Sequence, residues 1–153
     1  MNRIVATLSI AAAFAAGCGV THLMQPARAA AENITAQIIH TQDFSGDALG
    51  PANSGGMHSK MFVSADGSTI SIQDGNVGKH MHPNTNEIQY ILEGTGTIWL
   101  GEKEVSVKPG DLVVIPKGTA HGGTKPDAGS APIKAIALKT PPQAAEGGTK
   151  MLP

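Results

Sequence analysis

Seven short runs of β-forming residues follow one another along most of this chain, and turn residues separate them. Gly, Pro, Asn and Asp interrupt the apolar stretches about every 8–12 positions, a spacing that is typical of β-barrels and β-sandwiches. Beyond residue 29, no segment of about ten residues repeats its apolar positions with a helical period of roughly 3.6. The pattern therefore predicts an all-β fold with little helix. The runs are 59–64, 68–73, 87–92, 96–100, 104–107, 111–115 and 133–139.

Residues 1–29 have the features of a secretory signal peptide. The first three residues carry a positive charge, residues 4–20 carry no charge, and residues 27–29 read Ala-Arg-Ala. Small residues in this arrangement form the recognition site of a signal peptidase. We therefore expect an exported protein, periplasmic or secreted, with cleavage after Ala29.

Cys18 gives the leader a second interpretation. The segment Ala15–Cys18 resembles the lipobox of bacterial lipoproteins, although alanine stands at residue 15 where leucine is usual. In that case the leader would end before Cys18, and the lipidated cysteine would anchor the protein to a membrane. Both interpretations predict export, and a lipid on Cys18 is the membrane link that the second one implies.

The chain beyond residue 29 has an unusual charge composition. It contains nine lysines and twelve acidic residues, but neither arginine nor cysteine. Without cysteine there is neither a disulfide framework nor a thiol nucleophile, and the whole chain's formal charge of −1 is unsuited to nucleic acid. Arginine is the side chain best suited to clamp a carboxylate or a phosphate. Its absence favours a small neutral organic substrate over a small anion.

Beyond the leader, the sequence divides into three parts. In residues 30–58, the β-type run Ile34–Ile39 is predicted to form an N-terminal strand. The rest of this part is predicted to be a long loop, because it is rich in Gly, Pro, Asp and Asn. Residues 59–140 are predicted to form the barrel. Residues 141–153 have no periodicity and are expected to be a flexible tail.

Two histidines and a glutamate are spaced so that they can meet. In a strand, residues i and i+2 face the same side about 6–7 Å apart, so His80 and His82 present two imidazoles to one face. A turn at Pro83-Asn84-Thr85 brings Glu87 back on the next strand. A Pro-x-Gly turn after the run 111–115 then delivers a third imidazole, that of His121. Imidazole and carboxylate ligands that converge in this way predict a metal site.

These residues closely resemble the two sequence motifs of the cupin family. The matching positions are His80, His82, Glu87 and Gly94 in the first motif, and Gly110, Pro116, Gly118 and His121 in the second. Asp74 stands where the first motif opens with glycine, and Lys125 stands where the second closes with asparagine. The resemblance implies an antiparallel double-stranded β-helix, or jelly-roll barrel, that is often a homodimer. It also implies one divalent metal held by His80, His82, Glu87 and His121.

Three imidazoles and one carboxylate leave about two positions of an octahedral ion free. Iron, manganese, nickel and copper suit such a site better than zinc, which usually prefers four ligands. The resemblance favours a dioxygenase-type oxidoreductase that acts on a small molecule. In that enzyme Glu87 is a candidate general base, and Gln89, two residues further along the same strand face, is a candidate hydrogen-bonding partner of the ligands.

A second hypothesis is a metal- or ligand-binding module of the cell envelope without catalytic activity, because the fold alone does not establish a reaction. An open cavity of substrate size would favour the enzyme, whereas a filled cavity would favour the module. A sugar-binding or isomerase cupin is a weaker third hypothesis, because few aromatic residues are available for stacking.

Overall fold

The computed structural model describes residues 34–153, and ten strands and two short 3-10 turns account for its regular structure. The leader, with Cys18 and the cleavage site at Ala29, lies outside the described residues. Within residues 34–153, no helix is long and apolar enough to cross a membrane. The strands are β1 (His58–Ala65), β2 (Ser68–Asp74), β3 (His80–Met81), β4 (Asn86–Glu93), β5 (Gly96–Leu100), β6 (Lys103–Val107), β7 (Leu112–Ile115), β8 (His121–Pro126), β9 (Lys134–Thr140) and β10 (Lys150–Met151).

The strands form two five-stranded sheets in which neighbouring strands are antiparallel. The first sheet has the order β1-β2-β9-β4-β7, and the second has the order β10-β3-β8-β5-β6. The chain crosses repeatedly between the two sheets, as in a jelly roll. The all-β prediction is confirmed, and each of the seven predicted runs overlaps a strand.

An aliphatic core holds the two sheets together. Ile91, Val113 and Ile115 of the first sheet form one cluster with Ile98 and Val107 of the second. Side chains in a strand alternate between its two faces, so every second residue of these strands enters the core. On β4, the same alternation places Glu87 and Gln89 on the inner face with Ile91, further toward one end of the barrel.

The predicted N-terminal strand is absent from the described part of residues 30–58. Ile34–Ile39 has no regular structure, and the side chain of Ile38 is 84% exposed. This segment borders the outer strand β1 near Phe62–Ala65 but makes no ladder hydrogen bonds with it. A β-type sequence cannot form a strand without a partner edge, and here no edge pairs with it. The following loop instead contains the 3-10 turns Thr41–Asp43 and Gly46–Leu49.

The tail also differs from the flexible segment that the sequence predicts. Lys150–Met151 pairs with β3 as β10, and the backbone N–H of Leu152 donates to the carbonyl of Lys79 at 2.9 Å. A two-residue strand has no sequence periodicity of its own, because its position depends on the strand that it joins. The tail therefore extends the second sheet next to the two motif histidines.

Candidate metal centre

The structure brings together the four residues that the sequence predicts as metal ligands. His80 and His121 are directly opposed residues of β3 and β8, and His82 follows β3 immediately. Each of the three rings offers a nitrogen within 4.8 Å of the other two. Glu87 reaches them from β4 in the first sheet, with its Oε2 at 3.0 Å from His82 Nε2 and 3.4 Å from His121 Nε2. All four side chains are buried.

The outer nitrogen of each imidazole is bound to a backbone carbonyl, and this fixes the tautomer. In each ring Nδ1 donates the hydrogen bond, so Nε2 of the neutral ring keeps its lone pair and faces the centre. This is the arrangement in which imidazole binds a metal ion. The pairs are His80 with Gly78 at 2.8 Å, His82 with Gly148 at 2.8 Å, and His121 with Thr119 at 2.9 Å.

Two atoms at the centre lack a hydrogen-bond partner within residues 34–153. They are Oε2 of Glu87 and Nε2 of His121, both fully buried. With Nδ1 protonated, Nε2 of His82 and of His121 are acceptors that face a carboxylate oxygen, which is also an acceptor. Buried acceptors this close repel one another unless a cation lies between them. The donor set therefore fits a bound metal ion.

The environment keeps Glu87 ionised. Burial raises the pKa of this carboxyl, but hydrogen bonds from His121 and His82, which form in the metal-free site when Nε2 carries a proton, lower it by more, together with the charge of Lys139 and the hydrogen bond from Gln89. The pKa of Glu87 therefore lies well below its usual range. A carboxyl with such a low pKa is available as a metal ligand over the whole physiological pH range, and it is a weak base.

His80 is kept neutral by the same environment. The pKa of His80 is lowered from 6.5 to about 4, mainly by burial; His121 and His82 contribute to the decrease, whereas the hydrogen bond to Gly78 and the charge of Glu87 oppose it. A neutral imidazole is the form that binds a metal ion. The ring thus needs no deprotonation to act as a ligand at neutral pH.

Gln89 occupies the position that the strand alternation predicts for it. Its Nε2 donates to Oε1 of Glu87 at 2.8 Å, which leaves Oε2 directed at the imidazoles. The expected partner role of Gln89 is thus consistent with the geometry.

Gly122 allows the second sheet to pack tightly around His80. Its φ is +83°, and an added Cβ would lie 2.8 Å from the carbonyl oxygen of Gly78 and 2.9 Å from Nδ1 of His80. These two atoms form the hydrogen bond that orients the His80 ring. A side chain at residue 122 would therefore displace a ligand as well as strain the backbone.

Lys139 is a site residue that sequence analysis missed. Its Nζ lies 3.2 Å from Nε2 of His82 and 3.5 Å from Oε2 of Glu87. The alternation of the strand could have indicated it, because Lys139 lies on the same strand face as Ala135 and Ala137, which are both buried. A lysine therefore supplies a cationic group at a site for which the described residues offer no arginine.

The tail forms one wall of the site. Gly148 supplies the carbonyl that binds His82, and Nε2 of Gln143 donates to Oγ1 of Thr149 at 2.6 Å. Three of the four predicted ligands, His80, His82 and Glu87, line an open cavity of about 550 Å³, including the space at its mouth. Its other lining residues are Asn53, Met57, Gln73, Val77, Gln89, Lys139, Gln143, Thr149 and Met151.

A sequence profile of the cupin domain matches residues 68–136, which include all four predicted ligands. This segment, a little under half of the chain, is similar to the cupin family, as the two sequence motifs predict. An uncharacterized protein of Methanocaldococcus jannaschii is 37% identical over 67 residues, which are 44% of this chain and 52% of that protein. The chain spans about half the length of the curated relatives that it matches.

Solved structures have the same fold at low sequence identity. One is a conserved protein of Klebsiella pneumoniae with a double-stranded β-helix domain; it has a TM-score of 0.55 and 18% identity, and the match covers 72% of this chain and 96% of that one. Another is Streptomyces Pac13 with uridine, a protein described as a nucleoside dehydratase. Its TM-score is 0.54 at 15% identity, and the match covers 66% of this chain and 82% of Pac13. These likenesses show the jelly-roll fold.

Proposed function

We propose that this cupin is an enzyme that holds one divalent transition metal through His80, His82, His121 and Glu87. The observation that carries this proposal is a pair of buried acceptor atoms that face each other without a hydrogen-bond partner within residues 34–153, namely Glu87 Oε2 and His121 Nε2 at 3.4 Å. A hydrophobic or purely structural site would not place imidazole lone pairs against a carboxylate. A cation is the group that makes this arrangement stable.

Four ligands of this kind suit iron, manganese, nickel or copper better than zinc, because they leave about two octahedral positions for other molecules. A metal bound there supplies Lewis acidity and, for iron or copper, electron transfer. The ligand set and the family favour a dioxygenase-type oxidoreductase. The open cavity next to the ligands offers room for a small organic substrate, which favours an enzyme over a binding module with a filled cavity.

The residues of the chain hold and orient this centre. Glu87 acts as a ligand, and its low pKa makes it a poor general base. Gln89 fixes the orientation of the carboxylate by donating to Oε1. The three backbone carbonyls fix the imidazoles, so the donor atoms are already in place before an ion enters.

Metal analysis tests the proposal directly. The mature protein, purified after export without added metal, is expected to contain about one transition-metal ion per chain. The double variant His82→Ala with His121→Ala should contain almost none. His40→Ala is the matched control, because His40 is exposed and should leave the metal content unchanged. Wild-type protein without metal, or unchanged metal in the double variant, would overturn the proposal.

Oxygen consumption distinguishes an oxidoreductase from a binding module. The metal-loaded protein is screened against enols, diketones and phenolic compounds, with a His121→Ala variant as the blank. Oxygen uptake above this blank supports the dioxygenase-type activity. Metal binding without uptake on any of these classes would favour the non-catalytic metal- or ligand-binding module of the cell envelope.

Export and assembly are part of the same proposal. A protein with this leader would act in the periplasm or outside the cell, and mass spectrometry of the exported form would distinguish a start after Ala29 from a lipidated Cys18. The homodimer that the family resemblance implies stays a prediction, and its test is given in the Discussion.

A further inference from the structure

Lys139 lies against the proposed ligands, although it follows the segment that matches the cupin domain. Its Nζ is 3.2 Å from His82 Nε2 and 3.5 Å from Glu87 Oε2, and its side chain is only 13% exposed. The profile match ends at residue 136. The largely buried ammonium of Lys139 thus adds a positive charge next to the four predicted ligands.

The tail holds the ammonium group in place. Oε1 of Gln143 accepts a hydrogen bond from Lys139 Nζ at 2.5 Å, and Gln143 is itself bound to Thr149. Lysine is flexible and usually extends its charge into water. Here the chain of contacts through Gln143 and Thr149 keeps the charge at the cavity wall.

The charge of the cavity changes when a metal ion binds. Among the cavity-lining residues within 34–153, the formally charged side chains are Glu87 and Lys139, and their charges cancel. A divalent ion would therefore leave the cavity with a net charge of about +2. A positively charged cavity attracts an anion and stabilises it once bound.

Metal binding also removes acceptors from Lys139. A bound ion would take up the Nε2 lone pair of His82 and Oε2 of Glu87. Of the present contacts of the Lys139 ammonium, the hydrogen bond to Gln143 would then remain. A buried ammonium with unused donors requires another acceptor, and a charged one is the strongest. A substrate molecule in the cavity can supply it.

We infer that Lys139 binds an anionic oxygen of the substrate, so that the proposed enzyme acts on a small carboxylate. This inference rests on the proposed metal site and names the substrate class for it. It replaces the neutral substrate that the absence of arginine suggested. Lys139 is the specificity-determining residue, and Gln143 is a positioning residue that acts through it.

Glycolate and glycolamide are suitable probes, because both can chelate a metal while only glycolate is charged. We compare their dissociation constants by calorimetry on metal-loaded wild type and Lys139→Met, at one pH and ionic strength. Removing a charged hydrogen bond should weaken glycolate binding about tenfold or more and leave glycolamide binding within about twofold. Lys125→Met is the control, because Lys125 is exposed and paired with Glu104; it should change neither constant.

Gln143→Leu removes the hydrogen bond that positions the Lys139 ammonium but keeps the charge of Lys139. It should weaken glycolate binding less than Lys139→Met does, whereas Lys139→Arg should restore most of the preference for glycolate. Equal loss of both probes in Lys139→Met, or no loss of either, would overturn the inference.

Metal content separates the two proposals. Lys139→Met with about one ion per chain but unchanged glycolate binding contradicts the substrate inference alone. Wild-type protein that takes up no metal contradicts the proposed function, and the inference falls with it. If both Lys139→Met and Lys139→Gln fail to fold or to hold metal, then Lys139 has a structural role, which also overturns the inference.

Discussion

Lys139 and Glu87 are directly opposed residues of the neighbouring strands β9 and β4, and their charged groups meet at 3.5 Å inside the barrel. The first sheet thus contributes one cation and one anion to the site. The second sheet contributes His80 and, directly opposite it, His121, and His82 follows its strand β3. The site is built where the inner faces of the two sheets approach each other, so the packing of the sheets controls its geometry.

Gln89→Leu should weaken metal binding without unfolding the protein. The substitution removes the donor to Oε1 of Glu87 and keeps a side chain of similar size. Loss of such an outer partner typically lowers metal affinity about 10- to 100-fold. Isothermal titration with Mn(II) or Co(II) measures the change. Tyr90→Phe is the control, because Tyr90 is the next residue and lies on the opposite, exposed face; this variant should bind metal like the wild type. If Gln89→Leu binds metal as tightly as the wild type, the role assigned to Gln89 is wrong.

Gly122→Ala and Gly129→Ala form a matched pair. Both glycines have a positive φ, so both substitutions should lower the free energy of unfolding by roughly 1–2 kcal/mol from backbone strain. An added Cβ at Gly129 meets open space, whereas at Gly122 it meets the hydrogen bond of His80. Gly122→Ala should therefore lose additional stability and bind metal more weakly. Chemical denaturation and metal titration measure both effects, and identical behaviour of the two variants would contradict the explanation.

Deletion of residues 143–153 should weaken the metal site although it removes no ligand. The deletion removes the carbonyl of Gly148, which orients His82, and the strand β10, which pairs with β3. We expect metal affinity about 10- to 100-fold lower, as for other outer partners of a ligand. Glu146→Ala is the control, because Glu146 is an exposed residue of the same tail. A truncated protein that binds metal like the wild type would show that the tail does not support the site.

The stability of the metal-free protein should fall as the pH is lowered from about 6.5 to about 4. The pKa of His80 is about 4 in the folded protein and 6.5 as its ordinary value, so in this window the unfolded chain binds more protons than the folded one. The contribution of His80 is complete above pH 6.5 and is lost as the pH approaches 4. Each pKa unit corresponds to roughly 1.4 kcal/mol, so the loss is about 3 kcal/mol at most.

Urea denaturation of the chelator-treated protein between pH 4 and 7 measures this loss. His80→Gln should flatten the profile over this window, because glutamine does not titrate. A variant profile that is parallel to that of the wild type would assign the pH dependence to other groups.

Leu112 and Val114 mark the face on which we test the predicted homodimer. They lie on the outer strand β7, their side chains are 63% and 57% exposed, and Leu112 pairs with the exposed Tyr90. The double variant Leu112→Lys with Val114→Lys should be monomeric in sedimentation if a second copy covers this strip. Thr97→Lys is a control on the second sheet. A wild-type protein that sediments as a monomer would contradict the dimer.

Sequence patterns predicted the strands in which apolar and polar residues alternate between two turns. In such a segment the apolar residues themselves indicate which face is buried. None of the seven predicted runs covers β3, β8 or β10. β8 contains two glycines and no large aliphatic residue, and β3 and β10 have two residues each. Strands of this kind are stabilised by the ladder that they join, so their positions depend on the other strands of the sheet. Ile34–Ile39 is the opposite case, because its strong β-forming composition meets no partner edge.

The sequence by itself determined the all-β architecture and the identity of the four candidate ligands. Strand alternation and short turns are local properties, and they place His80, His82, Glu87 and His121 at fixed intervals. Only the tertiary structure brought Lys139 next to Glu87 and the tail next to His82, because these neighbours are 52 or more residues apart in the chain and meet through sheet pairing. The charge in the cavity, and with it the proposed substrate class, follows from that packing.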